Sequence, residues 1–280
     1  MNRRVRTGFS PCPNDTFMFH GLVSGHTLVE NLIFDAVLED IEELNRRAIA
    51  DADPLDVTKL SVSALAHIAG KYRVLSSGAA IGRGCGPLVV QKANSKPLSL
   101  SSLSGQRIAI PGEYTTAHLL LRIFASANPD TRFMRFDQIM PAIAEGTVDA
   151  GVIIHEGRFT YEDHDLVAIA DLGELWEGET GLPLPLGVIC AHSSLGEDLT
   201  RKIETGIENS ILAGREEPAH ARSFIREHAQ ELNDDVCAAH IDLYVNDYSV
   251  NLGSEGRRAI TALLQKGAEA GALPETPPLW

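Results

Sequence analysis

The stretch Gly151-Val-Ile-Ile-His155-Glu-Gly-Arg-Phe-Thr-Tyr161 decides the fold class. It begins with apolar, β-branched residues, which are typical of a buried strand, and it continues with a histidine, a carboxylate, a glycine and an arginine. In open α/β sheets, ligands bind beyond the carboxyl ends of the strands. We therefore predict that His155 lies at a cleft, where an imidazole can serve as a general base. The alternative is a strand-end histidine that is hydrogen-bonded to its neighbours.

The rest of the chain alternates strand and helix patterns, and two of its segments are typical of connections between lobes. Residues 95–104 are rich in serine, lysine and proline, and residues 173–185 form a proline-containing piece that we expect to be irregular. Alternating elements predict a mostly parallel sheet with helices on its faces. We expect an α/β protein of two lobes with a ligand cleft between them. The predicted divisions are a discontinuous larger domain of residues 1–92 and 189–280, a smaller inserted domain of residues 93–188, and hinges near 88–91 and 186–191.

Composition argues against several classes of function. The 280 residues carry a formal net charge of −14, which argues against binding to nucleic acid or to an anionic membrane surface. No apolar run approaches the roughly 20 residues of a membrane span. The basic N-terminus leads into Pro11 and Pro13 instead of the apolar segment of a signal peptide. The sequence thus predicts a cytoplasmic protein.

The cysteines and histidines form no pattern of metal ligands. The four cysteines, at positions 12, 85, 190 and 237, include no CxxC pair, and the ten histidines include no HxxxH or HExxH pair. This spacing predicts reduced thiols, with neither a metal site nor a disulfide framework. We expect Cys12 only to pack near the cleft. The glycines of Gly82-Arg-Gly-Cys-Gly-Pro87 precede a strand and not a helix, so they predict a turn or hinge rather than a nucleotide-binding loop.

Three further segments are expected to face the cleft. Two prolines stiffen the loop after the first strand, and Asn14 or Asp15 can cap the helix that follows. Lys59 lies near the end of a strand, beside Ser61 as a helix cap, where it either forms a surface salt bridge or points at an anionic ligand. Thr115 to Ala117 begin a helix whose N–H groups favour a carboxylate or phosphate. A site for a small anionic, hydroxylated ligand is predicted from Asn14, Asp15, Thr16, Lys59, Ser61, Thr115, Thr116, Ala117 and His155.

Several longer runs together resemble one known family. They are Gly8-Phe-Ser-Pro-Cys-Pro-Asn-Asp-Thr-Phe17, Val37-Leu-Glu-Asp-Ile41, Thr58-Lys-Leu-Ser61, Gly82-Arg-Gly-Cys-Gly-Pro-Leu-Val-Val90, Pro111-Gly-Glu-Tyr-Thr-Thr-Ala117, Ile153-Ile-His-Glu-Gly-Arg-Phe-Thr-Tyr161 and Thr180-Gly-Leu-Pro-Leu-Pro-Leu-Gly187. In this order, and over nearly the full chain, they resemble the 1,4-dihydroxy-6-naphthoate synthases of the futalosine route to menaquinone. Two departures are mild: Gly157 stands where serine is expected, and Glu113-Tyr114 precedes the threonine pair.

The resemblance implies a periplasmic-binding-protein type II fold used as an enzyme. Members of the family convert cyclic dehypoxanthine futalosine into 1,4-dihydroxy-6-naphthoate and a sugar-derived fragment, as carbon–carbon lyases without metal or organic cofactor. Carried over by position, His155 is the proton acceptor, and the substrate contacts are Lys59, Leu60, Ser61, Thr116 and Ala117. The expected partner is the small-molecule substrate, without nucleic acid or membrane, and the expected state is a monomer or homodimer.

Two other functions stay open. A non-catalytic binding protein for a small carboxylate would share the fold, but it would normally need an export signal or a lipid anchor. A chorismate dehydratase, a sister enzyme of the same pathway, resembles the fold too, but the run Ser10-Pro-Cys-Pro-Asn-Asp15 points away from it. Incubation with the substrate of each enzyme distinguishes these functions.

Overall fold

The computed structural model describes residues 2–68, 70–125, 128–229, 233–275 and 279–280. Within these residues the strands form two sheets. In chain order they are β1 (Arg3–Phe9), β2 (Leu32–Leu38), β3 (Val57–Ser61), β4 (Tyr72–Val74), β5 (Ala80–Gly82), β6 (Leu88–Lys92), β7 (Arg107–Ile110), β8 (Asp130–Phe133), β9 (Ala150–Ile153), β10 (Leu166–Asp171) and β11 (Leu184–His192).

Both sheets are mixed, so the α/β class is confirmed while the expectation of a mostly parallel sheet is wrong. The first sheet has the order β2-β1-β3-β11-β4, with β5 paired to β11, and the second has the order β10-β6-β9-β7-β8. Strand β1 is parallel to β2 and β3, and β7 is parallel to β8 and β9. Strands β6 and β11, which begin just after the chain changes sheet, run antiparallel to all their neighbours. The two strands that follow the crossovers therefore account for the mixed character.

The helices cover the faces of the two sheets. They are α1 (Pro13–Val23), α2 (Ile41–Ala50), α3 (Thr116–Phe124), α4 (Phe136–Ala144), α5 (Gly157–Thr160), α6 (Leu172–Thr180), α7 (Glu197–Glu216), α8 (Arg222–His228), α9 (Asp234–Tyr244), α10 (Asp247–Val250) and α11 (Gly253–Glu269). In the part of the chain that the structure describes, no helix is both long enough and apolar enough to span a membrane.

Strand pairing divides the chain at slightly different places from the predicted domain boundaries. Strand β6 lies in the second sheet and β11 in the first, so the chain changes sheet within residues 83–87 and again within 172–183. The predicted boundaries fall at 92/93 and 188/189, which places each of these strands, wholly or in part, with the other lobe. The domain division itself stays a prediction.

The second connection contains a helix where an irregular segment was expected. Helix α6 occupies residues 172–180 because Asp171 caps its first turn, accepting hydrogen bonds from the N–H groups of Gly173 and Glu174. Gly181, in the left-handed conformation with φ of 68°, ends the helix. The proline-rich run that suggested irregular structure begins only after the helix, and strand β11 starts at Leu184 rather than at Val188.

The two sheets share one buried apolar cluster. It contains Leu60 and Val188 from the first sheet together with Ile108 and Val152 from the second. Trp176 on α6 is fully buried in the same cluster, and its indole N–H donates to the Pro183 carbonyl at 3.1 Å. The connections between the lobes are therefore part of the core.

Candidate active site

A cavity lies between the two sheets, and both sheets contribute to its walls. Its volume is about 650 Å³ when its open mouth is included. The loop before α1, strand β3 and helix α9 line one side, and the start of α3 and the end of β9 line the other. The polar or titratable residues in its lining are Ser10, Asn14, Asp15, Lys59, Ser61, Cys85, Thr115, Thr116, His155, His240 and Tyr244.

A buried ion pair joins Asp15 to Lys59 at one wall of the cavity. The Lys59 Nζ lies 2.7 Å from the Asp15 Oδ1, and both residues are less than 5% exposed. The other carboxylate oxygen accepts from the Ser10 N–H and hydroxyl at 3.2 and 2.8 Å. Lys59 therefore makes a buried ion pair, and not the surface salt bridge that was one of its two expected roles.

The expected cap of helix α1 is wrong. Cys12 occupies the N-cap position without a side-chain hydrogen bond, and Pro13 takes the first turn. Asp15 lies inside that turn because its carboxylate is held by the Lys59 ammonium and by Ser10. The Asn14 amide also donates to the Asp15 Oδ1, at 2.9 Å. Both side chains line the cavity instead of capping the helix.

His155 follows the last residues of β9 and lines the cavity, as its strand-end position predicts. Its backbone is in the left-handed region, with φ of 56°, which is uncommon for a residue other than glycine. The ring packs edge-on against Phe136, with centroids 4.9 Å apart. Its Nε2 atom is buried and, among the described residues, has no hydrogen-bond partner.

The charge state of His155 is set by its surroundings. Burial lowers the pKa of His155 to about 4; the nearby Asp15 carboxylate opposes this shift and the Lys59 ammonium adds to it. A buried imidazole loses hydration that would stabilise its charged form. His155 is therefore neutral near pH 7 and can accept a proton.

The start of helix α3 forms the opposite wall of the cavity. Thr115 is the N-cap, and its hydroxyl oxygen accepts from the His118 N–H at 3.2 Å. The Thr116 hydroxyl donates to the Leu186 carbonyl of β11 at 2.7 Å, so it links the two lobes rather than pointing freely into the cleft. Thr116 and Ala117 still line the cavity with the first turn of the helix, whose N–H groups have no intrahelical partner.

Three residues of the predicted set have limited access to the cavity or to its ligand. Leu60 is fully buried in the apolar core, because alternate residues of a strand point to opposite faces and its neighbours Lys59 and Ser61 face the cleft. The Thr16 hydroxyl is buried and donates to the carbonyls of Cys12 and Pro13. Ser61 lines the cavity at the start of a 3₁₀ turn, but without a capping bond, and its hydroxyl accepts from Asn45. Their contacts with substrate stay predictions.

Helix α9 contributes two cavity residues that the sequence analysis missed, His240 and Tyr244. The His240 Nε2 lies 3.0 Å from the Asn14 Oδ1, and the Tyr244 hydroxyl donates to the Cys85 carbonyl at 3.1 Å. Their spacing of four residues places them on one helix face, which was the signal available in the sequence. That spacing is also typical of ordinary core packing, so it does not single them out.

One group of side chains has the composition of a metal site. Ligand atoms of Cys12, His155 and Glu156 lie within 4.8 Å of one another. The sequence pattern did not reveal this group because Cys12 is distant in the chain from the other two. Burial and the Glu156 carboxylate raise the pKa of the Cys12 thiol well above its usual range, which favours the protonated form over the thiolate that binds metals. The absence of a metal site stays a prediction.

Comparison with known proteins identifies the family. A family model described as menaquinone biosynthesis matches residues 5–269. The chain belongs to this family. It is an enzyme of menaquinone biosynthesis, and the resemblance inferred from the sequence is confirmed by two relatives named 1,4-dihydroxy-6-naphthoate synthase.

The relatives match over almost their whole length. The synthase of Thermus thermophilus is 46% identical over 278 residues, covering 99% of this chain and 98% of its own. The synthase of Streptomyces coelicolor is 39% identical over 279 residues, covering 98% of this chain and 96% of its own. A solved Candida albicans protein, described as having the generic periplasmic-binding-protein fold, superposes with a TM-score of 0.70 at 13% identity, covering 99% of this chain and 93% of its own. The expected periplasmic-binding-protein-like fold is thus confirmed.

Proposed function

We propose that this protein is a carbon–carbon lyase that converts cyclic dehypoxanthine futalosine into 1,4-dihydroxy-6-naphthoate, with His155 as the general base and without metal or organic cofactor. The observation that carries the proposal is the His155 Nε2, which is buried at the cavity and, among the described residues, has no hydrogen-bond partner. A neutral imidazole with a vacant nitrogen is suited to accept a proton from a bound hydroxyl.

In the proposed reaction, His155 takes the proton of a hydroxyl group on the sugar-derived ring of the substrate. The electron pair of that O–H bond forms a carbonyl, and the adjacent carbon–carbon bond breaks in a retro-aldol sense. Its electrons pass to the ring system that becomes the naphthoate, and aromatisation supplies driving force. A positioned base typically contributes about 10²–10⁴-fold, so orientation of the substrate in the cavity must contribute much of the remaining acceleration.

One feature of the cavity supports binding of an anionic substrate, and a second acts on the charge of His155. The first turn of α3, at Thr116 and Ala117, presents backbone N–H groups that favour a carboxylate. The Asp15–Lys59 pair near His155 has opposite effects on the imidazole, since the carboxylate favours its protonated form and the ammonium disfavours it. We propose that the substrate carboxylate binds at α3, that Lys59 and Ser61 contact the substrate, and that movement near residues 88–91 and 186–191 closes the lobes over it.

The proposed setting is the cytoplasm, with the small molecule as partner and a monomer or homodimer as the active unit. All four cysteines are buried, and among the described residues they form no disulfide, which suits a reducing compartment. The protein's negative net charge of −14 does not favour nucleic acid or anionic membranes as partners.

The test is turnover of cyclic dehypoxanthine futalosine by the wild type and by His155→Asn. Asparagine tolerates the left-handed backbone that this position requires, so the variant should fold. We expect naphthoate from the wild type and at least 100-fold less from the variant, the lower end of the effect of a positioned base. Equal turnover by both would remove His155 from its role. Binding without conversion would instead support a carboxylate-binding protein, and conversion of chorismate would support the dehydratase.

A further inference from the structure

The cavity contains a second buried imidazole with a vacant nitrogen. His240 is 1% exposed and lines the cavity. Its Nδ1 is buried and, in the part of the chain that the structure describes, has no hydrogen-bond partner. Buried polar atoms in native proteins are nearly always hydrogen-bonded, so a vacant one in a cavity wall points to a ligand.

A chain of hydrogen bonds fixes which nitrogen of His240 carries the proton. Lys59 donates to the Asp15 Oδ1, and the Asn14 amide donates to the same oxygen. The Asn14 Oδ1 is therefore left as an acceptor, and the His240 Nε2 that lies 3.0 Å from it must be the donor. A neutral imidazole has one donor and one acceptor nitrogen. The vacant Nδ1 is thus an acceptor that requires an O–H or N–H from a ligand.

His240 stays neutral and fixed in orientation. Burial lowers its pKa well below the usual range, and the neighbouring His155 and Lys59 act in the same direction. The ring packs against Tyr244, with centroids 4.6 Å apart, and against Phe159 at 6.3 Å. Protonation of Nδ1 is therefore disfavoured, and the ring cannot turn without losing its bond to Asn14.

His240 and His155 form a pair. Their rings are nearly parallel, at 21°, with centroids 6.2 Å apart. Each presents a vacant nitrogen, Nδ1 on His240 and Nε2 on His155. In a hydrogen bond from a hydroxyl group, the oxygen lies about 2.7–2.8 Å from its acceptor. Two neighbouring hydroxyl groups of one small ligand, one bonded to each ring, can therefore span the gap between the two imidazoles.

We infer that His240 is a second substrate-contacting residue, whose Nδ1 accepts a hydrogen bond from one hydroxyl of the ligand while His155 takes the proton of another. The ligand class is a polyhydroxylated ring, which on the proposed function is the sugar-derived part of the substrate. This inference rests on the proposed function, and it adds to it the recognition of a diol by two imidazoles.

Two substitutions distinguish the role of the Nδ1 atom of His240 from the role of its Nε2 atom. The amide of His240→Asn reaches only the position of Nδ1 and can still accept from the ligand, whereas the amide of His240→Gln reaches the position of Nε2 and can still donate to Asn14. We expect KM for cyclic dehypoxanthine futalosine to be at least tenfold higher in His240→Gln than in His240→Asn, as expected for loss of a hydrogen bond to a buried group. His20→Gln is the matched control, because His20 is also buried but does not line this cavity.

Each alternative result contradicts the inference. Equal KM values in the wild type and both variants would show that the ligand does not contact His240. Equal losses in both variants, or a larger loss in His240→Asn, would assign the residue to packing or to the Asn14 bond. If the wild type itself converts no substrate, the proposed function fails, and the same comparison is made on the Kd of that compound. If the wild type turns the substrate over but the two variants have the same KM, the inference fails while the proposed function stands.

Discussion

The Thr116 hydroxyl donates to the Leu186 carbonyl oxygen across 2.7 Å, so the first turn of α3 in the second lobe is joined to β11 in the first. A second link lies nearby, where the Glu42 carboxylate accepts from the N–H groups of Glu113 and Tyr114 at 2.9 and 3.0 Å. Glu42 belongs to α2, beside the first sheet. The proposed carboxylate anchor is therefore positioned by both lobes.

Thr116→Val should raise KM more than it lowers kcat. Valine has the shape of threonine without the hydroxyl, so it leaves the Leu186 carbonyl without its donor at a cost of about 1–3 kcal/mol. Steady-state kinetics should show KM raised about tenfold, which corresponds to 1.4 kcal/mol. Thr116→Ser keeps a hydroxyl and is the control. An unchanged KM in Thr116→Val would mean that the carboxylate is anchored elsewhere.

The activity should persist to unusually low pH. His155 acts as a base when neutral, and its pKa is lowered to about 4, so the neutral form is retained as the pH falls from 7 to 5. Protonation of His155 should therefore lower kcat/KM of the wild type only as the pH falls through about 4, and a pH profile of kcat/KM measures this. The fluorescence of the two tryptophans, Trp176 and Trp280, recorded across the same range distinguishes titration from unfolding. A half-maximum near pH 6.5 would indicate an unperturbed histidine instead.

Removing one member of the Asp15–Lys59 pair should destabilise the protein, because the other charge would stay buried without its partner. Asp15→Asn removes the negative charge and leaves a buried ammonium, which typically destabilises a protein by about 3–5 kcal/mol. Urea unfolding should show this loss, and the double variant with Lys59→Met should lose less than the sum of the single changes. Additive losses would show that the two charges do not interact.

Gly86 and Gly173 bring two crossover segments into close contact. A Cβ built on Gly86 would lie 2.3 Å from the Cα and N of Gly173, which are backbone atoms that cannot rotate away. Gly86→Ala should therefore lower the free energy of unfolding by about 1–3 kcal/mol. Gly178→Ala is the control, because a Cβ there meets no atom within 4 Å and alanine in a helix is favoured by about 0.5–1 kcal/mol. Equal stability of the two variants would contradict the close packing.

The position of His155 could be predicted from sequence because a β-branched run followed by a polar residue has a local meaning at a strand end. His240 could not, because it lies on a helix 85 residues further along the chain, and only the packing of α9 against the first lobe brings it to the cavity. The capping role expected of Asp15 failed for a related reason. Its partner Lys59 is distant in sequence, and leaving the buried Lys59 ammonium unpaired would cost about 3–5 kcal/mol, more than the roughly 1 kcal/mol that a helix cap contributes.

The sheet crossovers illustrate the same limit. The composition of residues 95–104 suggested a boundary there, yet β6 already pairs with β9 in the second sheet. Composition reveals where a chain is exposed and polar, whereas sheet membership depends on which strand edge is free. Helix α6 was missed because two of its residues are glycines and prolines follow it, although its cap at Asp171 was visible in the sequence.

The apolar cluster that contains Leu60, Val188, Ile108 and Val152 determines whether the two lobes can unfold separately. Because its members come from both sheets, removing one lobe would expose the apolar face of the other. Calorimetry should therefore show a single cooperative transition, and a fragment of residues 88–183, which keeps every strand of the second sheet, should not fold when expressed alone. The two lobes enclose a ligand cavity between them, but because they share this cluster we expect them to fold as one cooperative unit.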